Sequence, residues 1–222
     1  MIKVENIKTY GIDVAIRAMR HPKISYYKND SYYDAEHGFA LGENDLDLMQ
    51  RLYKSGAEHR TYARMIQVWM DISAPLYWWK EMDRYTVGKS QVSASTMHKI
   101  HAKEFTLDDF SHEHLMSSSL NTLEETIDKL NYWRDIYING GESDEDPTGQ
   151  YRRIFEPKDK DVWWQLIQLL PSSYNQKRTI NMSYEVVFKI IRERSSHKLD
   201  EWREFCDILR KLPYVEDIIN EG

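Results

Sequence analysis

A single cysteine among 222 residues, Cys206, leaves nothing for it to pair with inside the chain, so a disulfide framework is excluded. A reducing, cytoplasmic setting is the matching expectation. No stretch reaches the roughly 18 consecutive apolar residues that a membrane span needs. The opening Met1-Ile-Lys-Val-Glu-Asn lacks the apolar core of a secretion signal. Positive charge is also scarce. Lys and Arg total 30 against 36 Asp and Glu, a net charge of −6. Sequence-independent nucleic-acid binding needs clustered cations, so that class is disfavoured. A small anionic ligand in a local basic pocket stays compatible. What the chain does have is aromatic residues, 13% of the total, at a mean hydropathy of −0.70. Trp and Tyr therefore carry much of the apolar burial beneath a generous polar surface. The length suits a single domain over 1–222.

The most informative stretch runs Ser73-Ala-Pro-Leu-Tyr-Trp-Trp-Lys-Glu-Met-Asp-Arg-Tyr-Thr-Val-Gly-Lys-Ser-Gln-Val-Ser-Ala-Ser-Thr96. An aromatic, helix-compatible run follows Pro75, and then come Arg84 and a loop with Ser90, Ser93 and Ser95. Backbone amides and hydroxyls in such a loop can hold phosphates or base edges. Trp78 and Tyr85 are candidates to lie beside a planar ring. The same residues read equally as a buried aromatic helix and an ordinary polar turn.

Around this stretch the patterning predicts an α+β fold, helix-rich with a small sheet. Strands are expected over 2–8 and 65–72, and helices over 11–21, 45–55 and 75–84. Asn44 is the expected cap of the second helix, Leu48 and Leu52 its inward residues, and Gly56 its stop. Residues 25–37 read as an irregular loop. Leu120, Leu123, Ile127, Leu130, Trp133 and Tyr137 fall at steps of three or four, which predicts one long amphipathic helix. Gly140 to Gly149 reads as a solvated acidic loop. Further helices are expected over 160–170, 183–196 and 199–211.

Other constellations have plainer readings. His98, His101, His112 and His114 lie close in sequence but in no zincin spacing, and read as polar linker histidines with no metal site. Cys206 shares the apolar face of its helix with Phe205 and Leu209, the setting of a buried thiol. Arg192, Arg194, His197 and Lys198 form a basic helix end opposite Asp200 and Glu201.

The order of these features resembles the flavin-dependent thymidylate synthases. In that family a helix ending in Gly-His precedes a strand, an Arg-His-Arg-x-x-Ser loop and a later Ser-x-Arg. A Leu-Pro, an Asn-bearing segment and a helix with Leu-Arg follow. Here Gly56 precedes His59, and anchoring on Ala74-Pro75 puts Arg84-Tyr85-Thr86 at Arg-His-Arg. Leu170-Pro171 leads to Asn181, and Arg194 falls on the helix arginine. The resemblance covers the chain from about residue 45 onward. The chain is also similar to proteins carried by phages and prophages of Gram-positive bacteria.

The resemblance implies a pyrimidine-nucleotide site with Arg84, Ser90, Ser95, Asn181 and Arg194. It implies FAD near His59, Trp78, Lys80, Tyr85 and Lys89, one-carbon transfer to C5 of a uridine nucleotide, and a homotetramer sharing its sites. The motif is substantially altered. Tyr85 and Thr86 replace the histidine and arginine that hold the flavin phosphates. Without a gap, Lys89, Ala94 and Thr96 stand at the two serines and the second arginine, and one inserted residue restores Ser90 and Ser95 but not that arginine. Glu81 stands where the family has a substrate-contacting glutamine. Lys80, Arg84 and Lys89 would supply part of the missing positive charge, without the bidentate fork of a guanidinium. Loss of the flavin motif with retention of the fold equally suits a non-catalytic nucleotide-binding or interaction protein, such as a phage factor that sequesters a nucleotide signal.

Overall fold

The computed structural model describes residues 2–36, 38–143 and 153–219. The chain divides into two compact units. One comprises Ser73–Trp79 and Ser93–Lys177, the other Ile2–Ile72, Lys80–Val92 and the segment from Arg178 to the C-terminal end.

The first unit is organised by the long helix α5, Ser117–Asn139. Its buried stripe is Leu123, Ile127, Leu130, Trp133 and Ile136. The expected spacing holds, with Ile136 rather than Tyr137 completing the buried face, because Tyr137 remains half-buried. Against this stripe packs α6, Lys160–Leu169, through Val162 and Leu166. Asp159 caps α6 by accepting from the Asp161 amide at 2.8 Å. Ile100, Phe105, Phe110 and Phe155 complete the core.

Gly141–Ser143 and Arg153–Phe155 pair as an antiparallel hairpin, β6 and β7. The start of the expected acidic loop is therefore a strand, and residues 144–149 of that loop lie outside the described residues. Ser95 caps the short helix α4, Thr96–Lys99, by accepting from the His98 amide at 3.1 Å.

The second unit carries strand β1, Lys3–Tyr10, and most of β4, Gln67–Pro75, of β5, Lys89–Ser93, and of β8, Asn175–Ser183. They form a four-stranded sheet in the order β1-β4-β8-β5. The Ser183 amide donates to Gly88 O at 3.0 Å and the Ala94 amide to Lys177 O at 2.9 Å, which runs β5 antiparallel to β8. Gly88 makes the turn into β5 at φ +75, where a side chain would also meet Ser183 and Val186 at just over 3 Å. Along β4, Val68, Met70, Ile72 and Ala74 are buried alternately, the period-two signature seen in the sequence.

β8 was not expected. Its Asn-Gln-Lys-Arg-Thr stretch has little alternation, and only Ile180 and Met182 supply apolar anchors. Residues 25–37 correct another expectation. They hold a 3-10 turn at Tyr26–Lys28 and strand β2, Tyr32–Asp34, paired with β3, Gly38–Ala40.

Helix α1 spans Ile12–Met19 and buries Ala15 and Ile16. Helix α2 spans Glu43–Lys54. Its N-cap is Gly42, not Asn44. The distant Asp30 carboxylate accepts from the amides of Asn44 and Asp45 at 2.9 and 3.1 Å. It sits so close that a Cβ on Gly42 would fall 2.2 Å from Asp30 Cγ. Asp45 and Met49 take the buried face, while Leu48 and Leu52 stay half-buried. Asp45 forms a buried ion pair with Arg20 at 2.6 Å, and its second oxygen accepts from Ser31 Oγ at 2.7 Å and two amides. Every lone pair is served, as a buried carboxylate requires.

The remaining helices are α3, Leu76–Met82, α7, Tyr184–Arg194, α8, Asp200–Arg210, and α9, Val215–Ile219. In the second unit α7 buries Val187, Ile190 and Ile191, and α8 buries Trp202, Phe205, Cys206 and Leu209. The Cys206 thiol points toward Ile190 O at 3.8 Å, and burial pushes its pKa up.

Candidate functional site

The residues of the Ser73–Thr96 stretch go to different places. Trp78 and Trp79 are fully buried, stacked edge to face with centroids 4.8 Å apart. The Trp79 indole N–H donates to Gln176 O at 2.9 Å. Trp78 is therefore core, and it cannot stand beside a ligand ring as expected. Lys80 and Arg84 are exposed. Ser90 and Ser93 belong to strand β5 rather than a loop, and both are exposed.

The Lys89 side chain is only 5% exposed. Its ammonium donates to Gln91 Oε1 at 3.0 Å and lies 3.8 Å from Asp83, which also accepts from Arg178 at 2.8 Å. Burial, with the nearby Arg178 charge, lowers the Lys89 pKa against the pull of Asp83. Lys89 is thus committed to an internal network. Asn181, half-buried on β8, reaches Val68 O at 3.4 Å.

Tyr85 and Arg194 meet in a second network. The buried Tyr85 hydroxyl donates to Glu193 Oε2 at 3.1 Å and accepts from Arg194 Nε at 3.0 Å. Arg194 Nη1 donates to Glu81 Oε2 at 2.7 Å, and His197 Nε2 lies 3.3 Å from the same oxygen. The guanidinium sits 4.8 Å over the Trp202 ring and 5.8 Å from that of Tyr85. Burial raises the Tyr85 pKa, with Glu193 adding to the effect, so the phenol stays neutral. Arg194 is therefore not the open anion contact expected at the edge of the packed helix. Glu81 and Tyr85 already hold it.

Among the described residues, one concavity in each unit carries polar groups able to take a ligand. In the first unit, Ser95, Lys99, Lys103 and Lys177 surround a pocket of about 320 Å³ with Phe105 and Tyr174 in its wall. Gln176 braces it by donating to Ala94 O at 2.8 Å. Burial, with Asp109 adding, raises the Tyr174 pKa, so that hydroxyl also stays neutral. Lys103 is ion-paired with Asp109. Ser95 is the one expected nucleotide contact that opens onto this pocket. The lysines escaped notice in the sequence, although Lys99 and Lys103 stand four residues apart.

In the second unit, a groove of about 830 Å³ is lined by Arg20, Lys23, Lys28, Arg51, Lys54 and His59, with Glu58 as its acid. His59 is more than half exposed there. Arg20 is held by Asp45, and Arg51 pairs with Asp47 at 2.7 Å.

The histidines are dispersed. His98 belongs to α4, the His101 ring packs 4.8 Å from Tyr137, and His112 Nδ1 bonds to Phe110 O at 2.8 Å. Among the described residues, no three His, Cys, Asp or Glu side chains gather as metal ligands. No helix among them is long and apolar enough to cross a membrane.

No protein-family model matches the sequence, and no curated protein matches it either. The structure does have relatives. Its α+β arrangement is the fold of the flavin-dependent thymidylate synthases. The thymidylate synthase ThyX of Helicobacter pylori, solved with FAD and dUMP, superposes with a TM-score of 0.64. It is 16% identical over 100% of both chains. A second ThyX structure from the same organism, complexed with FAD and dUMP, gives 0.62 at 14% identity over 97% of this chain and 98% of its own. At such identity the likeness shows the fold alone.

Of the residues expected to hold a flavin, Trp78 is buried, while Tyr85 and Lys89 are tied into internal networks. His59 and Lys80 remain exposed.

Proposed function

We propose that the protein binds a pyrimidine mononucleotide, with its phosphate held by lysines rather than by Arg194. The observation that carries this reading is the 320 Å³ pocket where Ser95 meets Lys99, Lys103 and Lys177 beside two aromatic side chains. Its size falls at the small end of ligand sites, and its chemistry suits an anion attached to a flat ring. Ammonium groups act on phosphate as point charges without fixing its orientation, so affinity should be sensitive to salt. A pyrimidine ligand is chosen by analogy with the fold, whose solved members carry dUMP. Assembly into a homo-oligomer, a tetramer by the same analogy, belongs to this reading.

Binding without a resident flavin is the reading we favour, because Trp78 is buried and Tyr85 and Lys89 are engaged by side chains of the chain itself. Flavin-dependent one-carbon transfer to C5 of a uridine nucleotide is the second reading. It is favoured by the basic groove around His59, whose volume of about 830 Å³ suits a large anionic cofactor. Calorimetric titration with dUMP, uridine and inorganic phosphate tests the first reading. Saturable dUMP binding is expected, weakened about tenfold or more in the Lys99→Ala, Lys177→Ala double variant, the scale of a lost charged contact. No binding, or binding unchanged in that variant, refutes the pocket assignment. Protein that stays yellow through purification with stoichiometric FAD would favour the flavin enzyme.

A further inference from the structure

Glu81 stands on α3, 113 residues from Arg194 in sequence, yet its carboxylate accepts a 2.7 Å hydrogen bond from the Arg194 guanidinium. The same oxygen lies 3.3 Å from His197 Nε2. These are the two donors that an anion arriving at this helix end would seek. Arg194 and Glu81 remain 16% and 27% exposed at their side chains, so the cluster is reachable from solvent. Other parts of the guanidinium are occupied. Tyr85 takes the Nε hydrogen, and the guanidinium carbon lies 4.8 Å over the Trp202 ring. Glu193 adds a second carboxylate next to Tyr85.

We infer that Glu81 is a specificity-determining residue whose carboxylate occupies the anion position on Arg194 and His197 and thereby excludes phosphate from this cluster. A phosphate approaching Arg194 must either displace an ion pair with good geometry or sit beside two carboxylates of its own sign. The inference does not depend on whether the lysine pocket takes a nucleotide.

The charge of Glu81 is the variable, and Glu81→Gln removes it at nearly constant shape. In titration calorimetry with inorganic phosphate at neutral pH, Glu81→Gln should bind phosphate at least tenfold tighter than the wild-type protein. Adding Arg194→Ala to that variant should abolish the gain, whereas adding Lys99→Ala should leave it in place. A folded Glu81→Gln protein with wild-type phosphate affinity overturns the inference, as does a gain that survives loss of Arg194. A wild-type crystal structure grown in phosphate decides the matter even if the variant does not fold. Glu81 still on Arg194 supports the assignment, and phosphate in its place overturns it.

Discussion

A guanidinium flanked by an indole and a phenol, with a carboxylate at 2.7 Å, is expensive to delete. Arg194→Ala would leave Glu81 with His197 alone, take the Nε donor from the Tyr85 hydroxyl and strip the charge from the Trp202 face. Partial exposure moderates the loss, since water can reach Glu81. A charged hydrogen bond and a cation–π contact together suggest a cost of about 1–3 kcal/mol. For a chain of this length the melting temperature should fall by about 2–4 °C per kcal/mol. Differential scanning calorimetry of the ligand-free variant reads this directly. A variant that melts with the wild type would mean the network contributes nothing to the fold. The guanidinium would then be spare for a ligand.

At the level of elements, α2 owes its start to a residue outside it. Asp30 bonds the Asn44 and Asp45 amides, the donors that a helix leaves unmatched at its first turn. Desolvation is the largest influence on its carboxyl and pushes the pKa upward, but these two amides, with further hydrogen bonds, hold it below the ordinary aspartate value. The sign follows from linkage. A group depressed in the folded state contributes stability above its unfolded pKa and loses it as pH falls through the folded one. Asp30→Ala should therefore cost about 1 kcal/mol near neutrality, as for other lost caps. That deficit should shrink as the pH drops below about 4, where aspartate protonates. Chemical denaturation of both proteins across pH 3 to 7 measures the difference. A deficit that stays constant with pH would show that the charge of Asp30 plays no part.

For the whole molecule, the surface includes apolar side chains with no evident internal role. Val87 is 88% exposed, and Val92, Met116 and Ile154 are each more than three-quarters exposed. Val92 lies on β5, an edge strand of the sheet. Exposed apolar side chains and an open strand edge are features that association covers. Light scattering at micromolar concentration should therefore give a species well above the 26.6 kDa of one chain. A clean monomer would end the oligomer proposal while leaving the fold untouched.

The sequence by itself determined the elements whose burial is periodic. The three-and-four spacing through Leu123, Ile127, Leu130 and Trp133 specified α5, and the alternation around Val68 and Met70 specified β4. A period records which face a segment buries, and that is local information. β8 escaped because a strand with polar residues on one side and two apolar anchors on the other leaves little period to detect. The site was legible only as a list of residue types. Ser95 stands in the sequence as a candidate contact, but the lysines that line the pocket with it gather from residues 99 to 177, and no local pattern joins them. Arg194 was singled out for its position, and the tertiary structure gave it Glu81 and Tyr85 as partners from more than a hundred residues away. Whether a charged group meets a ligand or its own chain depends on how the backbone returns, and only the packed fold fixes that path.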